Sequence, residues 1–526
     1  MAGLASLGVR HRTDPDRRRR AGVHVTVRPI NPTTLEPLET VESTTIEQLD
    51  VAASRAEAAL AGAWPVDARR RARVLLDWAP ALEAHTAEIV HALVTETGKP
   101  ITEARVEVRA SVDALRYNAG LAAHLGGHAG TLPDGTVSHL VREPVGVTTF
   151  IVPWNWPVLL LLRDLAPAFA AGVTALVKPA PQTTLVTDLV LSLGFQAGLP
   201  TDVAHLIVGH ADVGQVAVEH PLVRAVAFTG SSTTGAEILR ACATGFKRPL
   251  LEMGGKGAVV ICADADVDLA VSAAVQAAVV TSGQMCMACT RILVDRSLYQ
   301  PVLAKVRAEL ETLRVGDPAD PRTRLGPLIS PAEGERVERY LGRSCRLPGF
   351  AGYFMRPVVV TDVDVGSPIV QEELFGPVVT VEPFIDEADA VRLANATPFG
   401  LATGVWTRDI GRAWRLARAI QAGTVWVNGY NHSYPEVPSG GFKSSGLGRT
   451  RGVAGVEQFT ELKHVHFSVG PQANRQGMGY TPVPLLRDDR PEWTELVAWR
   501  PRGLALPSEW SCCSGLTSRG WCTNVR

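Results

Sequence analysis

The chain has 526 residues, 46% of them hydrophobic and 20% charged, and a formal net charge of −1. That length exceeds what one hydrophobic core sustains, so two or more domains are expected, while the balanced charge argues against nucleic acid or an acidic membrane surface as partner. No stretch offers the roughly 20 unbroken apolar residues of a membrane helix; the run Val158–Leu162 stops at Arg163 and Asp164.

In chain order, residues 1–27 carry Arg17–Arg20 behind a short apolar start, the reverse of a signal peptide, and read as a disordered leader. From Thr45 to Leu125 apolar residues recur at helical spacing, as in Ile89, Val90, Leu93 and Val94, and Gly98 with Pro100 closes one of the helices. Thr131–Val147 alternates about Asp134-Gly135, a hairpin signal with a strand able to pair outside its domain. Beyond it, strands at Val147–Val152, Thr174–Lys178, Ala204–Val208 and Ala225–Thr229 alternate with helices at Leu159–Ala171 and Thr184–Phe195 and two ending at Glu219 and Thr244. Such alternation predicts a mostly parallel sheet covered by helices, with ligands at the carboxyl ends of the strands.

The residues able to carry chemistry sit at those ends. Cys286, between apolar runs just before Ile292-Leu293-Val294, is a candidate thiolate nucleophile, provided a base and an oxyanion donor lie nearby. Asn155, inside the rigid turn Pro153-Trp154-Asn155-Trp156-Pro157, either presents its amide to an oxyanion or caps the following helix. Lys178 ends a strand within reach of a ribose or phosphate, and Gly230-Ser231 opens a helix whose backbone donors suit a pyrophosphate. Glu252 precedes Gly254-Gly255-Lys256 and is either a satisfied structural acid or a base of raised pKa. The eight cysteines lack the spacing of a disulfide framework and suit reduced thiols in a cytoplasmic enzyme, and no metal is called for.

In this order, Trp154-Asn155, Lys178-Pro179, Phe228-Thr229-Gly230-Ser231, Glu252-Met253-Gly254-Gly255-Lys256 and Gly283-Gln284-Met285-Cys286 closely resemble the aldehyde dehydrogenase superfamily. Glu372-Glu373-Leu374-Phe375-Gly376-Pro377, Asn395–Leu401 and Gly440–Gly446 continue the likeness, which runs from about Asn31 to Lys463. The resemblance implies an α/β fold of three parts. They are a Rossmann-type dinucleotide-binding domain (28–130 and 148–253), an α/β catalytic domain (254–447) and a small β extension for oligomerisation (131–147 and 448–468). It also implies that Cys286 attacks the aldehyde, that Asn155 and the Cys286 N–H hold the oxyanion, and that Glu252 activates water against the thioester. Trp154, Lys178, Gly230, Ser231, Glu373 and Phe375 would bind NAD or NADP. Trp156, Leu159, Arg163, Met285 and Met287 would line the substrate pocket, which suits an aromatic or medium apolar aldehyde. A homodimer or homotetramer is implied, with Phe459–Phe467 as a strand that pairs with a partner subunit.

Three departures qualify those expectations. Pro181 stands where the family usually has the acid that repels a 2′-phosphate, so NAD is favoured with NADP open. The connection between Tyr340 and Gly352 is shorter than the family's by the end of a helix and one strand, which predicts an uncovered edge. The tail 469–526 does not resemble the family and holds Cys512, Cys513 and Cys522 among many Pro and Arg residues. Arg163 raises a semialdehyde dehydrogenase as an alternative, although Val280 occupies the place of that group's second carboxylate-binding Arg. The short connection raises another, a catalytically silent dinucleotide-binding protein.

Overall fold

The structure, a computed structural model, describes residues 26–132 and 136–467. Of the expected leader 1–27, residues 1–25 lie outside the described residues, as do the Asp134-Gly135 turn and the tail. Thr26 and Val27, by contrast, form a strand paired antiparallel with Val41 and Glu42, so the expected leader is too long by these two.

Four helices come first: α1 (Ile46–Leu60), α2 (Ala68–Ala84), α3 (Thr86–Thr97) and α4 (Ile101–Ala122). Thr45 starts α1 with a reciprocal capping box, its hydroxyl accepting from Gln48 N while the Gln48 side chain accepts from Thr45 N. Gly98 ends α3 at φ 68°, a left-handed turn that glycine adopts at no steric cost. Within this layer Trp78 stacks on Phe169 at 6.5 Å, with Trp64 edge-on to the same ring at 5.8 Å. Trp78 and Phe169 are fully buried, and truncating either would cost roughly 3–5 kcal/mol.

Two strands follow, β1 (His128–Thr131) and β2 (Val137–Pro144), and then the expected alternation. It runs β3 (Val147–Val152), α5 (Pro157–Ala171), β4 (Thr174–Pro179), α6 (Thr184–Gln196), β5 (Ala204–Leu206), α7 (Ala211–Glu219), β6 (Val223–Gly230), α8 (Ser232–Thr244) and β7 (Arg248–Met253). Strands β3 to β7 pair in parallel in the order β7-β6-β3-β4-β5. The order reverses between β3 and β6, and in open α/β sheets the crevice at such a reversal is where a dinucleotide binds.

A second sheet uses β8 (Gly257–Ile261), β9 (Cys289–Asp295), β10 (Val358–Val360), β11 (Val378–Phe384), β12 (Ala402–Trp406) and β13 (Thr424–Val427). All its pairs are parallel, in the order β10-β11-β9-β8-β12-β13. Helices α9 (Val267–Val279), α10 (Tyr299–Thr312) and α11 (Pro331–Leu341) belong to this half. The chain then returns to the first sheet, where β14 (Gly446–Leu447) runs antiparallel to β7. It ends with β15 (Thr460–Phe467), which pairs antiparallel with β2 along all of its length; β1 lies on the far side of β2.

The short connection after α11 is a compact hairpin. Leu347 N donates to Phe354 O at 2.7 Å and Arg356 N to Cys345 O at 2.9 Å, so residues 345–347 cover 354–356. β10, just beyond, is one edge of its sheet. Among the described residues, no helix is long and apolar enough to cross a membrane.

Candidate active site

Where the two sheets face each other, a cleft of about 370 Å³ is lined by Trp154, Asn155, Gly230, Ser231, Gly254, Cys286, Glu373 and Phe375 among others. Trp154 and Asn155 leave β3, Gly230 ends β6 and Ser231 caps α8, so the cleft occupies the reversal point of the first sheet. Cys286 enters from the other half, three residues before β9. β9 is pinned by Arg291, fully buried, whose guanidinium meets Glu382 at 2.9 and 2.6 Å and donates to Leu393 O at 2.8 Å.

The loop that presents Cys286 is held on several sides. Thr281 and Ser282 both take positive φ, 48° and 55°, which costs backbone energy unless neighbours over-determine it. Glu103 of α4 does so: its carboxylate accepts from Thr281 N at 2.8 Å and Thr281 Oγ1 at 2.9 Å. Ser282 donates to Gly326 O, and Gln284 donates to Thr281 O while accepting from Ile329 N. Asn155 Nδ2 donates to Gln284 O at 3.0 Å, which brings its amide to the backbone two residues before the thiol.

Three carboxyl groups and the thiol are shifted by this enclosure. Burial pushes Cys286 up to about 12, aided by Glu373 and opposed by Arg163. Burial pushes Glu252, 5% exposed, up to about 7, with Arg163 the largest opposing influence. Glu252 Oε1 has no hydrogen-bond partner among the described residues, as befits a group that awaits a water or a proton. Glu373 is raised to about 7 by burial, and the N–H of Gly255 opposes the shift, donating to its carboxylate at 3.1 Å. Glu103 is raised to about 7 by burial against its bonds to Thr281.

The other residues singled out in the sequence fall into two groups. Phe375 stands edge-on to Trp154 at 5.5 Å and closes one wall of the cleft. Lys178 is buried at the end of β4; burial lowers it to about 8, and its ammonium donates to Pro179 O. Met285 and Met287 are partly exposed, with the Met285 sulfur 3.7 Å from Asn431 Nδ2. Leu159 packs against the α-helical core, and Trp156 is buried in it with the Lys99 ammonium over its ring at 4.2 Å. Arg163 is buried too, held by both oxygens of Asp164 at 2.8 Å and donating to Thr229 Oγ1 at 2.7 Å.

The cleft has the features a dinucleotide needs. The N-terminal turn of α8 opens on it, and Gly254 lets the chain pass close to Glu373: a Cβ there would lie 2.0 Å from Glu373 Oε2. Sequence reasoning missed the support that Glu103 gives Thr281 and that Gln284, quoted only as part of a motif, gives Asn155, contacts made across 178 and 129 residues that leave no local pattern.

Comparison with known proteins gives a consistent result. The model of the Aldehyde dehydrogenase family matches residues 20–465. An aldehyde dehydrogenase of Aspergillus niger is 36% identical over 454 residues, 84% of this chain and 91% of that protein. Betaine aldehyde dehydrogenase 2 of Rhizobium meliloti is 36% identical over 85% of this chain and 94% of its own length. The crystal structure of betaine aldehyde dehydrogenase from Staphylococcus aureus in complex with NAD+ superposes with a TM-score of 0.83 at 34% identity, covering 87% of this chain and 94% of that one.

Proposed function

The chain belongs to the aldehyde dehydrogenase family and is an NAD(P)-dependent aldehyde dehydrogenase, and we propose that it makes the carboxylic acid through a thioester on Cys286. The observation that carries this reading is the convergence of Cys286 and Asn155 on one cleft with the unpartnered carboxylate of Glu252 within electrostatic reach of the thiol.

The Cys286 sulfur adds to the aldehyde carbon and its proton passes to a water molecule in the cleft as the bond forms, since burial keeps the resting thiol protonated at neutral pH. The aldehyde oxygen, now carrying the charge, is held by the Asn155 amide and the Cys286 N–H. NAD or NADP bound in the cleft would supply the acceptor for the hydride of the aldehyde carbon. Glu373 and Phe375, with Trp154 against Phe375, would hold the ribose and ring side of the cofactor and Gly230 and Ser231 its pyrophosphate, all from the lining of the cleft, while Lys178 at the end of β4 would hold the adenine-side ribose. Glu252 then takes a proton from the water that attacks the thioester, and its pKa near 7 suits that task at neutral pH.

The body of the substrate rests on Leu159, Met285 and Met287, which supports an aromatic or medium apolar aldehyde. Several relatives are named for trimethylammonium aldehydes, among them the 4-trimethylaminobutyraldehyde dehydrogenase of Oryzias latipes. Trp156 offers such a cation little, because the Lys99 ammonium already covers its ring. NAD is the cofactor we favour, and the protein works in the cytoplasm as a homodimer or homotetramer. β15 and β13 each end a sheet, and pairing β15 of one copy with β13 of another would close both open edges.

The test is the absorbance of reduced cofactor on mixing protein, NAD and a panel of aldehydes. Wild-type turnover, absent in Cys286→Ala that still binds NAD, is the expected result. Turnover by Cys286→Ala would overturn the assignment of the nucleophile.

A further inference from the structure

We propose that Arg451 is the receptor for a carboxylate on the substrate, so that the aldehyde this enzyme prefers carries an acid group at its far end. The proposal rests on the reading of Cys286 as nucleophile and adds the charge of the molecule that reaches it.

Its position follows from the return of the chain to the first sheet. Gly446 pairs with Glu252, and after a turn Thr450 and Ser439 exchange backbone hydrogen bonds of 2.8 Å in both directions. Next to Ser439, a Cβ on Gly440 would lie 3.0 Å from Glu252 Oε1 and 2.9 Å from Arg449 Cδ. Arg451 is therefore the first residue beyond a ladder laid directly over Glu252. Its charge acts on Arg163, Asp164, Glu252 and Cys286, four groups at the heart of the site.

Two properties set Arg451 apart. Its backbone lies at φ 64°, ψ 170°, a region essentially confined to glycine, and such outliers gather at functional sites. Its side chain is partly buried yet makes no hydrogen bond or ion pair among the described residues. The other two arginines near Glu252 are engaged: Arg163 by Asp164 and Thr229, and Arg449 by Gly441 O at 3.3 Å and Gly448 O at 2.6 Å. Three guanidinium groups thus stand against the carboxylates of Asp164 and Glu252, and Glu252, with its pKa near 7, is neutral part of the time. The charge missing from this group is negative. A carboxylate would find five donors in Arg451 with no competing partner, the arrangement that favours planar two-point recognition. A trimethylammonium group would meet the same charges as repulsion.

The experiment compares paired aldehydes that differ by the acid: succinate semialdehyde with butanal, and 4-carboxybenzaldehyde with benzaldehyde. In wild type, kcat/KM should favour the acid of each pair. Arg451→Gly suits the backbone and removes the guanidinium, and it should lower the acid-to-neutral ratio on the order of 10- to 100-fold; Arg451→Lys should recover part of it. Calorimetric binding of 4-carboxybenzaldehyde and benzaldehyde to Cys286→Ala, with and without Arg451→Gly, reads the same preference without turnover. Absence of turnover with every aldehyde alongside a retained binding preference would count against the reaction scheme and support this inference. A wild type indifferent to the acid, in turnover and in binding, would overturn it. So would an equal loss with both members of a pair, which would make Arg451 a partner of Glu252 and Cys286.

Discussion

Glu252→Gln isolates the second half of the reaction. The substitution keeps the volume of the side chain and breaks no hydrogen bond of Oε1, which has none among the described residues, so the fold should tolerate it. What disappears is the capacity to accept a proton. A positioned general base contributes on the order of 10²–10⁴ in rate, or about 3–5 kcal/mol of barrier, and turnover should fall by that factor. The pH profile adds an independent signature. Burial raises Glu252 to about 7, so the carboxylate form is lost as pH falls through that value. It is about half populated at pH 7 and about a tenth at pH 6; wild-type turnover should therefore drop about fivefold over that unit and level off above pH 8. Stopped-flow absorbance of reduced cofactor should show in the variant a burst of about one equivalent per site, then slow turnover without that acid limb. Turnover within about threefold of wild type, or an unchanged pH profile, would refute the assignment. Loss of the burst as well would transfer Glu252 to the proton of the thiol and refute its role toward water.

Two further predictions concern the supports of the site. Glu103→Ala leaves Thr281 N without its acceptor in a loop of positive φ; it should lower kcat with NAD affinity retained and cost about 1–3 kcal/mol by denaturant unfolding. An unchanged kcat would show that the loop holds its shape without α4. Pro181→Glu puts a carboxylate close to Lys178, where the sequence lacks the usual acid, and should depress kcat/KM with NADP about tenfold relative to NAD; an unaltered ratio would place the 2′-phosphate elsewhere.

The alternation of strands and helices after Val147 could be read from the sequence because buried parallel strands are short apolar runs separated by amphipathic segments. The boundaries moved only by a residue or two: Ala225–Thr229 became Val223–Gly230, and Leu159–Ala171 became Pro157–Ala171. The hairpin differed more, its first strand lying at His128–Thr131, where Gly130 and exposed side chains give no alternation to read. Motif spacing pointed to Cys286, Asn155, Gly230 and Glu373, which the structure gathers at one cleft. It could not convey orientation. Trp156 follows Asn155 directly, yet it turns into the core beneath Lys99, because Glu107 takes the first N–H groups of α5 at Val158 and Leu159 and pairs with that lysine. Arg451 escaped notice because its significance lies in what its side chain does not touch, which no spacing records.

The antiparallel strand Gly446–Leu447 has a consequence for how the protein is made. Ser445 bonds to Gly254 O across 191 residues, and its neighbour Gly446 covers Glu252. On the ribosome the strand of the base emerges long before the segment that shields it, and the whole second sheet is translated in between. The nucleotide-binding layer can therefore form early with an unfinished rim, while the environment that raises Glu252 to about 7 arises only after the second sheet has been made. A nascent enzyme would acquire its fold first and its chemistry last.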